Sequence, residues 1–522
     1  MRKLVTADAV VTGDGVIGDS ILMVGGKVAA VGRRSDLSRP GIVEEAYPGT
    51  TIIPGMRDAH FHLVPYAALL GGCSLKAAAD MDDLRRRLTA YATSLPDHEP
   101  VVATRLDDEN LRERRLPNRK DLDAAVSDRP VVVYRYCGHI AVANTMALGT
   151  SGITVDTRDP DGGTIDKDPD GRPTGILRET AVRLVSAALA RAPQLGEEAL
   201  LVALRGLAGL GITSIGAMIG YGERPFEQLE SELALWKRVA SRLPIKVHGF
   251  VVADTPSRLE ESARMLTGAG TRLRWLGVKR FADGSLGGHT AAMKAPFADV
   301  ETTGTYRLTR SDKEVARKSI ELGGMVAIHA IGDRAVDGVL DVFEQLIAGG
   351  AKPADLRMEH VSVIDPSLLE RFASLGVSAV VQPAFLASEA EWVENRVGPN
   401  RTTWLYPFRS MLESGVPIAG SSDCPIEPPQ PLWGMAAAMD RLGINPEQQL
   451  TAMQALALFT SGAARALREP KPLSERSAAD FVVLDTDPSM ATAEEVRHAQ
   501  VLVTYVDGDA VEVDRSLPVW VD

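Results

Sequence analysis

The chain is short of cysteine, of net positive charge and of long apolar runs. Its three cysteines, Cys73, Cys137 and Cys424, stand far apart in 522 residues and offer no CxxC site. They fit a reducing compartment, and a core of this size needs no disulfide staples. The formal net charge is −12, which argues against nucleic acid or anionic membrane as a partner, since both call for basic patches. Nowhere do 18 apolar residues run together, as a membrane-spanning helix would require. The opening stretch MRKLVTADAVVTGDGVIGDS lacks a secretory apolar core and cleavage site. A cytoplasmic protein is expected. There is no internal repeat and no GxSxG elbow, so acyl-enzyme chemistry is disfavoured. The runs GDGVIGDS and DGSLGGH do not follow the strand–GxGxxG–helix order of a dinucleotide site.

What is present is an ordinary globular composition, 45% hydrophobic and 24% charged, which excludes a disordered chain. Both ends read as short strands. The first 50 residues include SILMVGGKVAAVG with a Gly-Gly hairpin signal, and the last 45 include DFVVLDTD and VLVTYVDGDAVEV. Residues 1–53 and 478–522 are therefore expected to pair into one composite β-sandwich. Between them, eight apolar runs fit buried parallel strands: 51–58, 211–218, 245–252, 275–281, 325–330, 357–361, 378–383 and 417–423. Eight such runs predict a (β/α)8 TIM barrel over 54–477, with the active site at the C-terminal strand ends. The gap between runs one and two is too long for one helix and implies a large insertion over about 66–210. Its Asp-rich stretch DTRDPDGGTIDKDPDGRPTG does not have EF-hand spacing, and a turn-rich hairpin is expected there.

Chemistry concentrates at the strand ends. His60 and His62 form an HxH pair after the first run; residues i and i+2 of an extended segment face the same side, so both can reach one cation. His329 closes the fifth run, His360 the sixth and Asp423 the eighth. Four imidazoles and a carboxylate converging on one barrel mouth suit Zn2+ or a similar metal, with Mn2+ or Fe2+ as alternatives and one or two ions bound. His248, within the third run, is read as structural. Lys279 lies inside an apolar strand, where an unpaired ammonium is costly. It is either paired with a carboxylate such as Asp283, or neutral and carboxylated by CO2 into an anionic bridge between two metals.

The motifs PGMRDAHFHL, GVKRFADGSLGGHTAAM, AIHAIGDRAVD, RMEHVSVID, VVQPAF and GSSDCPIEP resemble the amidohydrolase superfamily. The likeness is strongest to its amidohydrolase-3 branch of YtcJ-like proteins and N-substituted formamide deformylases, and it covers nearly the whole chain. It implies that His60, His62 and Asp423 bind a first metal. His329 and His360 would bind a second, with carboxylated Lys279 bridging. A metal lowers the pKa of bound water from about 15.7 towards 7, and Asp423 would move the proton to the leaving amine. Six further residues are candidates for contacting substrate: His289, Gln382, His139, Arg135, Glu179 and Trp392. Asn144 is read as capping the site from the insertion, Trp433 as lining a pocket, and Asp333 with Arg334 as facing the site or forming an ion pair.

The expected activity is metal-dependent hydrolysis of an amide, N-formyl or N-acyl C–N bond in a small molecule. Deamination, or lactone or carbamate hydrolysis, would use the same parts. A non-catalytic binding protein is argued against by the filled ligand set. The expected assembly is a homodimer without nucleic-acid or membrane partners.

Overall fold

The computed structural model describes residues 2–136, 140–160, 163–187, 195–220 and 226–511. These divide into two compact units, residues 1–64 with 200–522, and residues 65–199.

The first unit contains an eight-stranded parallel sheet that carries the chemistry. Its strands in order are Met56–Phe61, Ile212–Ile219, Lys246–Val251, Leu273–Phe281, Met325–Ala330, Leu356–His360, Ser378–Val381 and Ile418–Gly420. Each is hydrogen-bonded to the next in parallel register. The sheet closes just beyond its last strand. Asp423 N–H donates to the His60 carbonyl at 3.0 Å, and His62 N–H donates to the Cys424 carbonyl at 2.9 Å. The fold is a TIM barrel, as the eight apolar runs predict. Those runs are legible because a strand covered on both faces has no reason to alternate.

The connecting helices start and stop on local chemistry. Pro366–Leu375 is capped by the Asp365 carboxylate, which accepts from the Ser367 and Leu368 N–H groups, and it ends at Gly376 in the left-handed conformation (φ 66°). Arg310–Glu321 opens with a capping box formed by Thr309 and Asp312.

The first run, 51–58, is not one strand. Thr51–Pro54 pairs antiparallel with Phe481–Leu484 in a separate eight-stranded sheet drawn from both chain ends, and the barrel strand begins at Met56. Gly55 is the crossing point: a Cβ there would lie 2.4 Å from Thr213 Oγ1. The terminal sheet buries Val5, Ile21, Ile52, Phe481 and Tyr505 together. Its Gly25–Gly26 turn has φ of 58° and 76°, as the hairpin signal requires.

Strands one and two of the barrel approach closely at Gly216, where a Cβ would sit 2.1 Å from the Ala59 carbonyl oxygen, at a register irregularity. Gly216→Ala is expected to cost about 1–3 kcal/mol by forcing the strands apart. An unchanged denaturation midpoint would show that they do not meet there.

The second unit has its own six-stranded sheet, from Cys73–Ser74 to Gly163–Lys167. Residues 163–175 of the Asp-rich stretch belong to a hairpin in it, Gly163–Lys167 pairing antiparallel with Pro173–Glu179. Asp168 accepts from the Asp170 and Arg172 N–H groups in the turn, and Asp166 pairs with Arg178 across the strands at 2.9 Å. Among the described residues, no helix is long and apolar enough to cross a membrane.

Candidate metal centre

His60, His360 and Asp423 are buried, and one potential ligand atom from each lies within 4.8 Å of the others. Asp423 Oδ1 is 3.2 Å from His60 Nε2 and 3.0 Å from His62 Nε2. His60 Nε2 and Asp423 Oδ1 are both buried, and neither makes a well-aligned hydrogen bond; their close polar neighbours are each other and His62 Nε2. Two polar atoms left so in a protein interior are costly unless something else satisfies them. A divalent cation fits the donor set of two imidazoles and a carboxylate.

The surrounding hydrogen bonds aim the rings. His60 Nδ1 lies 2.6 Å from Glu359 Oε2, and His360 Nδ1 lies 2.8 Å from Gln382 Oε1. In each case the acceptor holds an N–H at Nδ1 and leaves Nε2 to face the centre. Asp58 accepts from the His60 N–H at 3.2 Å and from the Ser422 backbone and hydroxyl, which ties strand one to the segment bearing Asp423. Burial pushes its carboxyl up to about 7. His360 (φ 74°) and Asp423 (φ 57°) both occupy the left-handed region, which is strained for residues with a Cβ. Such strain costs on the order of 1–3 kcal/mol and clusters at functional sites.

Burial sets the charge states. It pulls His62 down to about 4, and it pulls His360 well below the usual imidazole range, helped by neighbouring His329. Neutral imidazoles are the form that binds metal. Burial and the Lys279 charge would lower His60 too, but the Asp423 and Glu359 carboxylates on either side override them and raise it, so a metal would have to displace its Nε2 proton. Burial would raise Asp423, but the charge of adjacent His60 overrides it and holds the carboxyl well below its ordinary range. Lys279 is 1% exposed, and burial lowers its ammonium to about 8 against the opposing pull of Glu359 and Asp423. Its Nζ lies over the Phe281 ring, 4.1 Å from the centroid, and it forms no ion pair among the described residues. Asp283 is not its partner. That carboxylate accepts instead from the Ala292, Ile331 and Gly332 N–H groups. His329 stands beside His360, with ring centroids 4.4 Å apart, while its Nε2 faces the Gly284 carbonyl at 2.8 Å.

A model of the amidohydrolase family matches residues 48–511. The chain belongs to that family. It is a metal-dependent hydrolase of the amidohydrolase superfamily, in the amidohydrolase-3 branch. Similar to it are YtcJ of Bacillus subtilis, 29% identical over 90% of this chain and 91% of that one, and the N-substituted formamide deformylase of Arthrobacter pascens, 27% identical over 94% of each. A crystal structure of a metal-dependent hydrolase from Pyrococcus horikoshii superposes with a TM-score of 0.76 at 28% identity, over 95% of this chain and 99% of that one.

Within this amidohydrolase, several residues read from sequence as facing substrate are occupied elsewhere. Gln382 is 1% exposed, and its amide is taken up by His360 and by Ser421 Oγ at 2.9 Å. His289 Nε2 donates to the Asp299 carboxylate at 3.1 Å, and the ring packs edge-on against Phe297. Trp392 donates to the Ser388 carbonyl and lies under the Arg396 guanidinium. Arg135 pairs with Asp108 at 2.6 Å inside the second unit. Asn144 does not cap a site: it is fully buried, caps the helix Thr145–Thr150 and bonds the backbone of Val126, Arg129 and Val131. Asp333 accepts from the Lys294 and Arg334 N–H groups rather than forming an ion pair with Arg334. Trp433 lies beneath the Arg497 guanidinium. His248 is structural, 2.6 Å from Glu469. His139 and the Glu179 side chain lie outside the described residues. Sequence reasoning missed Glu359, Arg357 and Asp58. The signal for the first two is a charged pair at i and i+2 within an apolar strand, LRMEH, which must be mutually satisfied to be buried.

Proposed function

We propose that this amidohydrolase cleaves an amide, N-formyl or N-acyl C–N bond of a small molecule. The observation that carries the reading is the buried cluster of His60, His360 and Asp423, whose potential ligand atoms lie within 4.8 Å of one another, in a barrel of this family. The N-formyl preference draws on the mutual 94% coverage with the Arthrobacter deformylase. His60, His62 and Asp423 would hold one cation, zinc first. His329 and His360 would hold a second, with Lys279 bridging as its carbamate; that its Nζ forms no ion pair among the described residues supports that role. A bound divalent cation supplies Lewis acidity towards the substrate carbonyl and brings the pKa of water towards about 7.

The chain's own part is proton handling. Asp423 accepts a proton from the attacking water as the new C–O bond forms, then delivers it to the amine nitrogen as the C–N bond breaks. The His60 and His62 Nε2 atoms face that carboxylate at 3.2 and 3.0 Å.

Elemental analysis of protein purified without chelator, paired with intact mass under mild conditions, tests the site. Two metals per chain and a mass increment of one CO2, lost in acid, are expected. N-formyl and N-acyl amines would then be screened by amine release. One metal without the increment makes Lys279 a substrate-facing cation, and no metal removes the reading.

A further inference from the structure

We propose that Glu359, clamped by Arg357, is the positioning residue that fixes the His60 tautomer and so aims the Nε2 lone pair at the cation site beside Asp423. The inference rests on the metal reading above and adds two residues to it.

The three side chains form a buried line through the barrel interior. His60, Glu359 and Arg357 are each 0% exposed. Arg357 holds the carboxylate with two prongs, Nε to Oε1 at 2.6 Å and Nη2 to Oε2 at 2.8 Å. Its remaining N–H groups reach the Ala59 and Ala466 carbonyls at 2.7 and 3.2 Å, and its plane lies over the Phe250 ring. The guanidinium is thus fixed from three sides, and it fixes the carboxylate plane in turn. Glu359 Oε2 then accepts from His60 Nδ1 at 2.6 Å.

A neutral imidazole carries one N–H. With that proton at Nδ1, Nε2 is the atom that faces Asp423 Oδ1, 3.2 Å away. A positive charge between the two atoms relieves their repulsion, either a second proton on Nε2 in the metal-free ring or a cation in its place. His360 is oriented in the same way by Gln382, whose acceptor is neutral. Of these two rings, only His60 has an anion as its orienting partner, and an anionic partner also raises the ligand's basicity.

The test separates positioning from simple packing. A double variant carrying Arg357→Met together with Glu359→Leu exchanges the buried ion pair for an apolar pair of similar volume, which such sites often tolerate in stability. We expect a melting midpoint for the metal-free double variant near that of the metal-free wild type. We expect its affinity for Zn2+, measured by chelator competition, to be about 10- to 100-fold weaker. A folded double variant with wild-type Zn2+ affinity overturns the inference. A second readout needs no folded variant of the pair. The 15N shifts of His60 in the metal-free wild type, assigned by their loss in His60→Gln, should show Nδ1 protonated, with or without a second proton on Nε2, and a ring carrying its only N–H at Nε2 overturns the inference independently. Wild-type protein that binds no Zn2+ defeats the proposed function instead, and the tautomer measurement still stands.

Discussion

Asp423→Asn is expected to lower turnover about 10²- to 10⁴-fold, the usual worth of a positioned general acid–base. An amide cannot accept the proton that a carboxylate takes from water. The side chain is almost isosteric, and the strained backbone at φ 57° tolerates Asn better than most residues. The barrel closure through the Asp423 N–H and the His60 carbonyl does not involve the side chain. The protein should therefore fold. Because Asp423 is also a proposed ligand, rates are to be compared at saturating metal, with metal content measured on the same sample. Lost turnover with metal retained assigns the proton transfer to Asp423; unchanged turnover removes it from the chemistry.

Glu469→Gln is expected to destabilise the barrel by about 3–5 kcal/mol, the cost of breaking a buried ion pair. Glu469 is anchored to the first three barrel strands, by Arg57 Nε at 2.6 Å, Ser214 Oγ at 2.6 Å and His248 Nε2 at 2.6 Å. Its side chain is 8% exposed, so solvent screens these contacts little. Burial would raise its pKa, but the Arg57 charge and the bonds from His248 and Ser214 hold it well below the usual carboxylate range. The unfolded chain binds a proton at Glu469 near about pH 4.3, while the folded chain does so only at much lower pH. The stabilisation is thus fully present above about pH 4.3 and declines as pH falls below it. Wild-type stability should drop more steeply than that of Glu469→Gln between about pH 5 and 3, and parallel acid limbs would count against the assignment.

The metal centre was more legible than its supports. The HxH pair, His329, His360 and Asp423 each end an apolar run, and a strand end in a barrel is a fixed place, so local sequence sufficed to bring them to one mouth. Glu359 and Gln382 lie in the same motifs, but their partners lie across strands. Glu359 meets His60 across 299 residues, and Gln382 meets His360 on the neighbouring strand. Gln382 therefore reads from sequence as a substrate contact, while in the fold its amide bonds to His360 and Ser421. Asn144 goes the same way: a short polar side chain among apolar residues serves a helix cap and three backbone groups within the second unit.

By itself, the sequence determined the barrel, through eight buried apolar runs, and put His60, His360 and Asp423 at strand ends, where they cluster. Only the tertiary structure decided where the first run breaks, because Gly55 is required by the side chain of Thr213 on another strand. Only it decided which nitrogen of each imidazole faces the centre. Apolar periodicity is a property of neighbours along the chain, whereas a tautomer is set by whichever acceptor the fold brings to the other side of the ring.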